Sequence, residues 1–274
     1  MLKFIILSDL HLVPEGKLSH GLDTAERFEL AISFVNQHHS DAAFVIINGD
    51  LADHGEPAAY ERMKAMLPKL TADTYLTLGN HDNRDNFITV MGKDHVAETG
   101  CADHVIDQGD QRIIVLDTKE PEAGGAGRLS EAQLAFLSAA LEGAGEKPVL
   151  IVLHHNITFL GVPTDCIILE NRDAFIDIVK RHDNVRQVIS GHVHMSTSGN
   201  YRGVPFCTIA GGHYNIEPTL GAPDITFQTP VPRREGPGQL AVVLSDKTST
   251  VVHMENYIDR HLVMAPALFD MHRS

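Results

Sequence analysis

An α/β fold is predicted for this chain by three observations. Residues 3–8, 42–47 and 148–153 are short, continuous apolar runs, the pattern of strands buried on both faces. Between such runs lie amphipathic stretches with capping signals, at residues 23–39 and 130–142. Five of the apolar runs end on Asp, Asn or His, where strands of an α/β sheet deliver side chains to a site.

The 274 residues suit one large domain, residues 1–274, or a domain with a small appendage. A hydrophobic content of 43% is enough for a full core. The net charge of −14 argues against nucleic-acid polymers and anionic membranes as partners. Cys101, Cys166 and Cys207 are scattered without a C-x-x-C spacing. That suggests neither a disulfide framework nor a structural zinc site, and it fits a cytoplasmic location. Residues 1–7 are too short for a signal-peptide core, and no apolar run approaches the ~18 residues of a membrane span. Of seventeen histidines, His38, His39, His95, His182 and His272 read as surface residues. The informative ones cluster at strand ends.

The first run, residues 3–8, delivers Asp9 and His11. In an extended segment residues i and i+2 point the same way, so both can reach one ion; a solvated loop is the alternative. The helix at 23–39 places Phe28, Ala31, Ile32 and Val35 on one face, with Asp23 and Glu26 resembling a capping box. The run at 42–47 ends in Asn48-Gly49-Asp50, which reads either as a turn or as a carboxylate aimed at a site. A second helix spans 57–70, with Pro57 in its first turn. The third strand, 74–78, ends in Gly79-Asn80-His81-Asp82. Gly79 permits a sharp turn. Asn80 offers a neutral oxygen ligand, or else caps the segment after Asn83.

Residues 111–117 form a further strand, and 119–128 a Gly-rich flexible loop close to the substrate. Ser130 and Gln133 form a capping box for the helix at 130–142, and Gly143 ends it. The strand at 148–153 ends in His154-His155. Asn171 caps a helix over 171–181, with Phe175, Ile178 and Val179 inward. The strand at 185–190 ends in Gly191-His192-Val193-His194, and one at 204–210 leads to Gly211-Gly212-His213. Five prolines between 215 and 238 exclude regular helix and central strand there. The segment at about 214–238 is expected to be a loop or cap near the substrate, a subunit contact, or a mobile insertion. A hairpin at 240–254 closes the chain, and residues 258–274 have no assignment.

The ordered set D-x-H, G-D, G-N-H-D, H-H and G-H-x-H, each after a strand, resembles the calcineurin-like metallophosphoesterases from Asp9 to His194. The length and spacing further resemble bacterial class III cyclic-nucleotide phosphodiesterases and the glycerophosphodiesterases of that family. The resemblance implies a sandwich of two mixed β-sheets flanked by helices. It implies a two-metal centre: Asp9, His11, Asp50 and His194 around one ion, and Asp50, Asn80, His154 and His192 around the other. His81 would act beside Asp50 as a catalytic residue. Asn80, His81 and His213 would meet the substrate. Asn156 departs from the family pattern, standing where many relatives have proline. The oxygen and imidazole donors suit two divalent ions drawn from Mn, Fe, Co or Zn.

The expected reaction is attack of a metal-bridging hydroxide on a small phosphodiester, with 3′,5′-cyclic nucleotides as lead substrate (cyclic AMP to 5′-AMP). A glycerophosphodiester is the alternative, and a non-catalytic scaffold of the same fold a remote one. The expected partner is that small molecule, and the resemblance is compatible with a dimer or larger assembly.

Overall fold

The computed structural model describes residues 1–218, 220 and 231–258. In chain order the main elements are β1 (Leu2–Leu7), α1 (Thr24–His38), β2 (Phe44–Asn48), α2 (Pro57–Met66), β3 (Asp73–Thr77), α3 (Arg84–Met91), β4 (His104–Gln108), β5 (Gln111–Leu116), α4 (Glu131–Glu142), β6 (Val149–Leu153), α5 (Arg172–Val179), β7 (Val185–Ser190), β8 (Thr197–Tyr201), β9 (Val204–Thr208), β10 (Tyr214–Ile216), β11 (Arg233–Glu235), β12 (Gln239–Ser245) and β13 (Thr250–Asn256).

Two mixed sheets form, in the orders β13-β12-β1-β2-β3 and β4-β5-β6-β7-β9-β8. The two-residue period of a strand explains why they stack. In β1, Phe4 and Ile6 join Phe44, Ile46, Ile113, Leu150 and Ile189 in the core between the sheets. Ile5 and Leu7 point the other way, against Phe28 and Ile32 of α1 and Tyr60 and Met63 of α2. On the second sheet, Ile114, Ile151 and Leu153 face Leu137 of α4 and Phe175 of α5. The result is a four-layer helix–sheet–sheet–helix sandwich, which is why its strands read as continuous apolar runs.

Parallel pairing sets the site. β1 pairs with β2 through Leu7↔Ile47, β2 with β3 through Asn48↔Thr77, β5 with β6 through Leu116↔Leu153, and β7 with β9 through Ser190↔Thr208. The carboxyl ends of these strands share one edge of the sandwich, where open α/β sheets bind ligands.

Several local expectations change. β4 and α3 add to the elements read from the sequence. Asn83 caps α3, accepting from the Asn86 amide, so Asn80 does no capping. Asn171 leads into α5 without a side-chain cap; its amide group instead bridges the Leu129 backbone, accepting from N and donating to O. His39 is buried and meets Glu255 at 3.1 Å. His38 is exposed, His95 and His182 are half-buried, and His272 lies outside the described residues. Asn156 shapes its loop by donating to the Thr158 carbonyl. The proline-rich stretch opens and closes as the antiparallel ribbon β10–β11, with Ile216 opposite Arg233. Residues 219, 221–230 and 259–274 lie outside the described set, and with them the middle of the expected cap and nearly all of the unassigned tail. No helix among the described residues is long and apolar enough to cross a membrane.

Candidate metal centre

Five loops meet at the shared edge, and their backbone is unusual. Asp9, His11, Asp50, His192 and His194 all have positive φ, between 47° and 68°. They are therefore not extended, which corrects the i, i+2 reasoning for both D-x-H and H-x-H. Each residue sits in the left-handed region, which non-glycine residues adopt at a cost of about 1 kcal/mol or more. The loops are locked to one another. The Asp9 amide donates to the Gly49 carbonyl and the His11 amide to the Asp50 carbonyl. Gly79 is needed for close approach rather than for a turn, because a Cβ there would collide with Asp50 Oδ1.

Around His11 the donors and acceptors can be assigned from geometry. His11 Nδ1 lies 3.0 Å from Asp53 Oδ1, a carboxylate, so Nδ1 carries the proton. His194 Nδ1 donates to the Tyr214 carbonyl at 2.8 Å, and His154 Nδ1 to the Asn48 carbonyl at 2.9 Å. In a neutral ring so bonded Nε2 is left with its lone pair, the arrangement that an acceptor at Nδ1 imposes on metal-binding histidines. His11 Nε2 and His194 Nε2 then face each other at 3.2 Å. Asp9 Oδ1 lies 3.5 Å from His194 Nε2, and Asp50 Oδ2 lies 3.6 Å from His11 Nε2. Four ligand atoms converge here, an arrangement that a cation would satisfy.

A second group shares Asp50. His154 Nε2 is 3.2 Å from Asp50 Oδ2 without hydrogen-bond geometry. His154 Nε2 and His192 Nε2 are buried with no hydrogen-bond partner. His192 Nδ1 lies 2.9 Å from Asn80 Oδ1. The residues fit divalent ions in two clusters, Asp9–His11–Asp50–His194 and Asp50–His154–His192, with Asn80 beside the second.

Burial and neighbouring charge agree with this chemistry for three of the histidines. Burial lowers His11, as it does His194, which lies well below its ordinary value. Burial, joined by the neighbouring His154, lowers His192 to about 3. All three are thus neutral, the ligating form of imidazole. Burial and the nearby Asp50 raise Asp9 to about 7, against the pull of His154. Burial acts on Asp50 in the same sense, but His154 and His81 outweigh it and hold the carboxyl well below its usual range. Burial lowers His154, yet Asp50 prevails and raises it to about 9, so without an ion its Nε2 carries a proton that a divalent ion beside Asp50 would displace.

His81 stands at the rim. Its amide donates to Asp50 Oδ1, and its Nδ1 donates to the Asp53 carbonyl at 2.7 Å. Burial lowers His81, but Asp50 and the Asp53 carbonyl more than compensate, so its basicity is raised. A pocket of about 180 Å³ opens above Asp50, Asn80, His81, His192 and His194. His213 departs from expectation. It is fully buried behind His11, with ring centroids 4.9 Å apart, and has no exposed surface for a substrate to touch. His155 turns away from the centre to Thr118 Oγ1 and the Gly125 carbonyl. The loop at 119–128 does approach the site, since Lys119 Nζ donates to the Asn80 carbonyl at 2.6 Å.

Sequence reasoning missed the supporting residues. Asp53 holds both His11 and the Ser19 hydroxyl. Asp82 accepts from the amides of Leu51, Ala52 and Gly79 and from the Tyr60 hydroxyl, tying the Asp50 loop to the Asn80 loop. Arg27, buried on α1, donates to the carbonyls of Gly212, His213 and Gly236 and so fixes the end of the β10–β11 ribbon where β10 begins and β11 finishes. The signal for Asp53 and Asp82 was their nearness to Asp50 and Asn80. Arg27 gave none, being one charged residue on a helix.

Comparison with known proteins agrees with this geometry. The calcineurin-like phosphoesterase family model matches residues 2–196. A probable cyclic nucleotide phosphodiesterase of Rhodopseudomonas palustris is 34% identical over 94% of this chain and 93% of its own length. A 3′,5′-cyclic adenosine monophosphate phosphodiesterase of Pseudomonas aeruginosa is 28% identical over 82% of this chain and 81% of its own. In fold, the chain is similar to a dimetal phosphatase from Danio rerio, with a TM-score of 0.64 at 15% identity, over 93% of this chain and 99% of that one. Converging acceptors, shared Asp50 and matched sequence lead to one conclusion: the chain belongs to the calcineurin-like phosphoesterase family.

Proposed function

We propose that the chain hydrolyses 3′,5′-cyclic nucleotides, cyclic AMP first, to 5′-monophosphates, with two divalent ions that share Asp50. The family and its curated relatives make it a metal-dependent phosphodiesterase. The observation that carries the two-ion reading is the Asp50 carboxylate, flanked by Nε2 of His11 at 3.6 Å and Nε2 of His154 at 3.2 Å. Asp9, His11, Asp50 and His194 would hold one ion, and Asp50, Asn80, His154 and His192 the other. The donors are oxygen and imidazole only, which suits Mn, Fe, Co or Zn. Bound divalent ions would supply Lewis-acid polarisation of the phosphate and a water acidic enough to ionise near neutral pH.

The chain's own residues do the rest. Only two carboxylates, Asp9 and Asp50, belong to the ligand sets, so a loaded site stays net positive. It attracts an anionic diester although the whole chain carries −14. Asn80→Asp therefore weakens phosphate binding. Unchanged inhibition by inorganic phosphate at full metal loading would contradict that. His81, fixed through Nδ1, presents Nε2 to the pocket and protonates the leaving oxygen. His81→Ala retains metal and loses about 10²–10⁴ in rate, more for poor leaving groups. Equal losses for good and poor leaving groups would remove the acid role. The three free cysteines favour a cytoplasmic setting.

The test is a competition between cyclic AMP and glycerophosphoethanolamine at equal concentration, with Mn-loaded protein and products resolved by chromatography. Preferential formation of 5′-AMP is expected. Preferential release of glycerol phosphate would overturn the substrate in favour of a glycerophosphodiester. Turnover of neither, with metal bound, would overturn both substrates.

A further inference from the structure

The pocket has one side that the catalytic reading does not use. The β10–β11 ribbon brings Tyr214, Ile216 and Arg233 to its wall. The Tyr214 ring stacks on His194, with centroids 4.0 Å apart and planes 5° from parallel. The Arg233 guanidinium carbon lies 4.8 Å over the Tyr214 ring centroid. Arg233 therefore stands one aromatic ring away from a metal-binding histidine. Its backbone is held by the ribbon's register opposite Ile216, and Arg27 anchors the ribbon's other end through the carbonyls of Gly212, His213 and Gly236. Among the described residues no carboxylate pairs with Arg233, whereas the adjacent Arg234 is paired with Glu217. The remaining wall is apolar, formed by Pro163, Ile167 and Val231.

Size decides what reaches that wall. At about 180 Å³ the pocket falls below the ~300–1,000 Å³ of sites that enclose a drug-sized ligand. It has room for a phosphate and its nearest carbons, and it leaves the outer part of a diester at the mouth, beside Arg233. Resting on the cyclic-nucleotide reading above, we infer that Arg233 selects that outer part, accepting a purine base and rejecting diesters that carry a cationic headgroup. A purine offers flat faces and ring acceptors, which a guanidinium satisfies through stacking and hydrogen bonds. The ammonium of glycerophosphocholine or glycerophosphoethanolamine meets a like charge in the same place.

Arg233→Ala and Arg233→Glu test this in the Mn-loaded full chain, because Arg233 is exposed and touches no metal ligand directly. Wild type and variants are compared on cyclic AMP, glycerophosphocholine and bis(p-nitrophenyl) phosphate, together with metal content and calorimetric affinity for 5′-AMP and for inorganic phosphate. Arg233→Ala is expected to lower kcat/KM for cyclic AMP about tenfold to a hundredfold, through KM. Affinity for 5′-AMP should fall in parallel. Metal content and affinity for inorganic phosphate should hold. Arg233→Glu should raise glycerophosphocholine relative to cyclic AMP beyond the alanine variant. An unchanged ratio of cyclic AMP to glycerophosphocholine in both variants, with wild type active on cyclic AMP, would overturn the role of Arg233 alone. A wild-type protein that cleaves bis(p-nitrophenyl) phosphate but not cyclic AMP would overturn the substrate reading, and this inference with it.

Discussion

Two buried polar clusters lie on the same sandwich, and they are built to opposite rules. In one, Asp103 Oδ1 accepts from the Asp117 amide and from Gln133, and Oδ2 accepts from the Thr99 hydroxyl. Asp117 in turn accepts from Arg84, from the Ala102 amide and from the Lys119 amide. Every oxygen has a donor, and none of these residues has positive φ. In the other cluster, five residues take left-handed backbone, lone pairs face lone pairs, and two imidazole nitrogens have no partner. Burial of charge is common to both. Unmet valence on a strained frame belongs only to the second, and it is this that marks a ligand site. The satisfied cluster supports the other at one remove, since Arg84 donates to the Lys119 carbonyl and Lys119 holds Asn80.

Substitutions can break this contrast. Asp50→Asn removes the shared charge and is expected to cost at least about a thousandfold in phosphodiesterase turnover, about 4 kcal/mol of barrier, with a fall in bound metal. Activity within tenfold of wild type would dissolve the distinction. Arg84→Met, on the satisfied side, leaves the Asp117 carboxylate buried without its counter-ion. About 3 kcal/mol of stability should disappear in chemical denaturation while metal stoichiometry holds. Loss of metal with unchanged stability would exchange the parts of the two clusters.

Between them stands Asp53, which orients His11 without belonging to the four converging acceptors. Asp53→Asn should weaken metal affinity about 10–100-fold in a chelator competition. The smallest effect concerns pH. Burial raises the Asp103 carboxyl from its ordinary 3.8 to about 6. The fold then holds a proton that the unfolded chain releases near pH 4. This group's contribution to stability is complete below about pH 4, declines as pH rises to about 6, and is level above. Asp103→Asn preserves the acceptor to Asp117 and Gln133, so it should remove that decline, of order 2 kcal/mol. An identical pH dependence of unfolding in both proteins would show that Asp103 is ionised throughout.

Much of the centre was legible in the sequence, because residue type and strand end are both written there. Asp9, His11, Asp50, Asn80, His154, His192 and His194 each follow an apolar run, and parallel pairing does bring those ends together. The way they converge was not legible. Alternation along an extended strand was the expected device, whereas the loops use left-handed residues, which short motifs do not announce. Asp53 and Asp82 look like any carboxylate in a turn until their partners are known. Arg27 and His39 carry polar side chains on a helix and at its end, and only the return of residues 212–236 and of β13 buries them. His213 is the converse. Its place after a strand suggested substrate contact, but the ring lies behind His11, where its neighbours are imidazoles and Tyr214.

The central claim is that these facing lone pairs are a seat for two divalent ions joined through Asp50. The most direct measurement is metal stoichiometry, by elemental mass spectrometry after equilibration with Mn and removal of loosely bound ions. Two equivalents per chain in the wild type, and one or fewer in Asp50→Asn, is the predicted result. A wild-type stoichiometry of one or none, with phosphodiesterase activity intact, would contradict it.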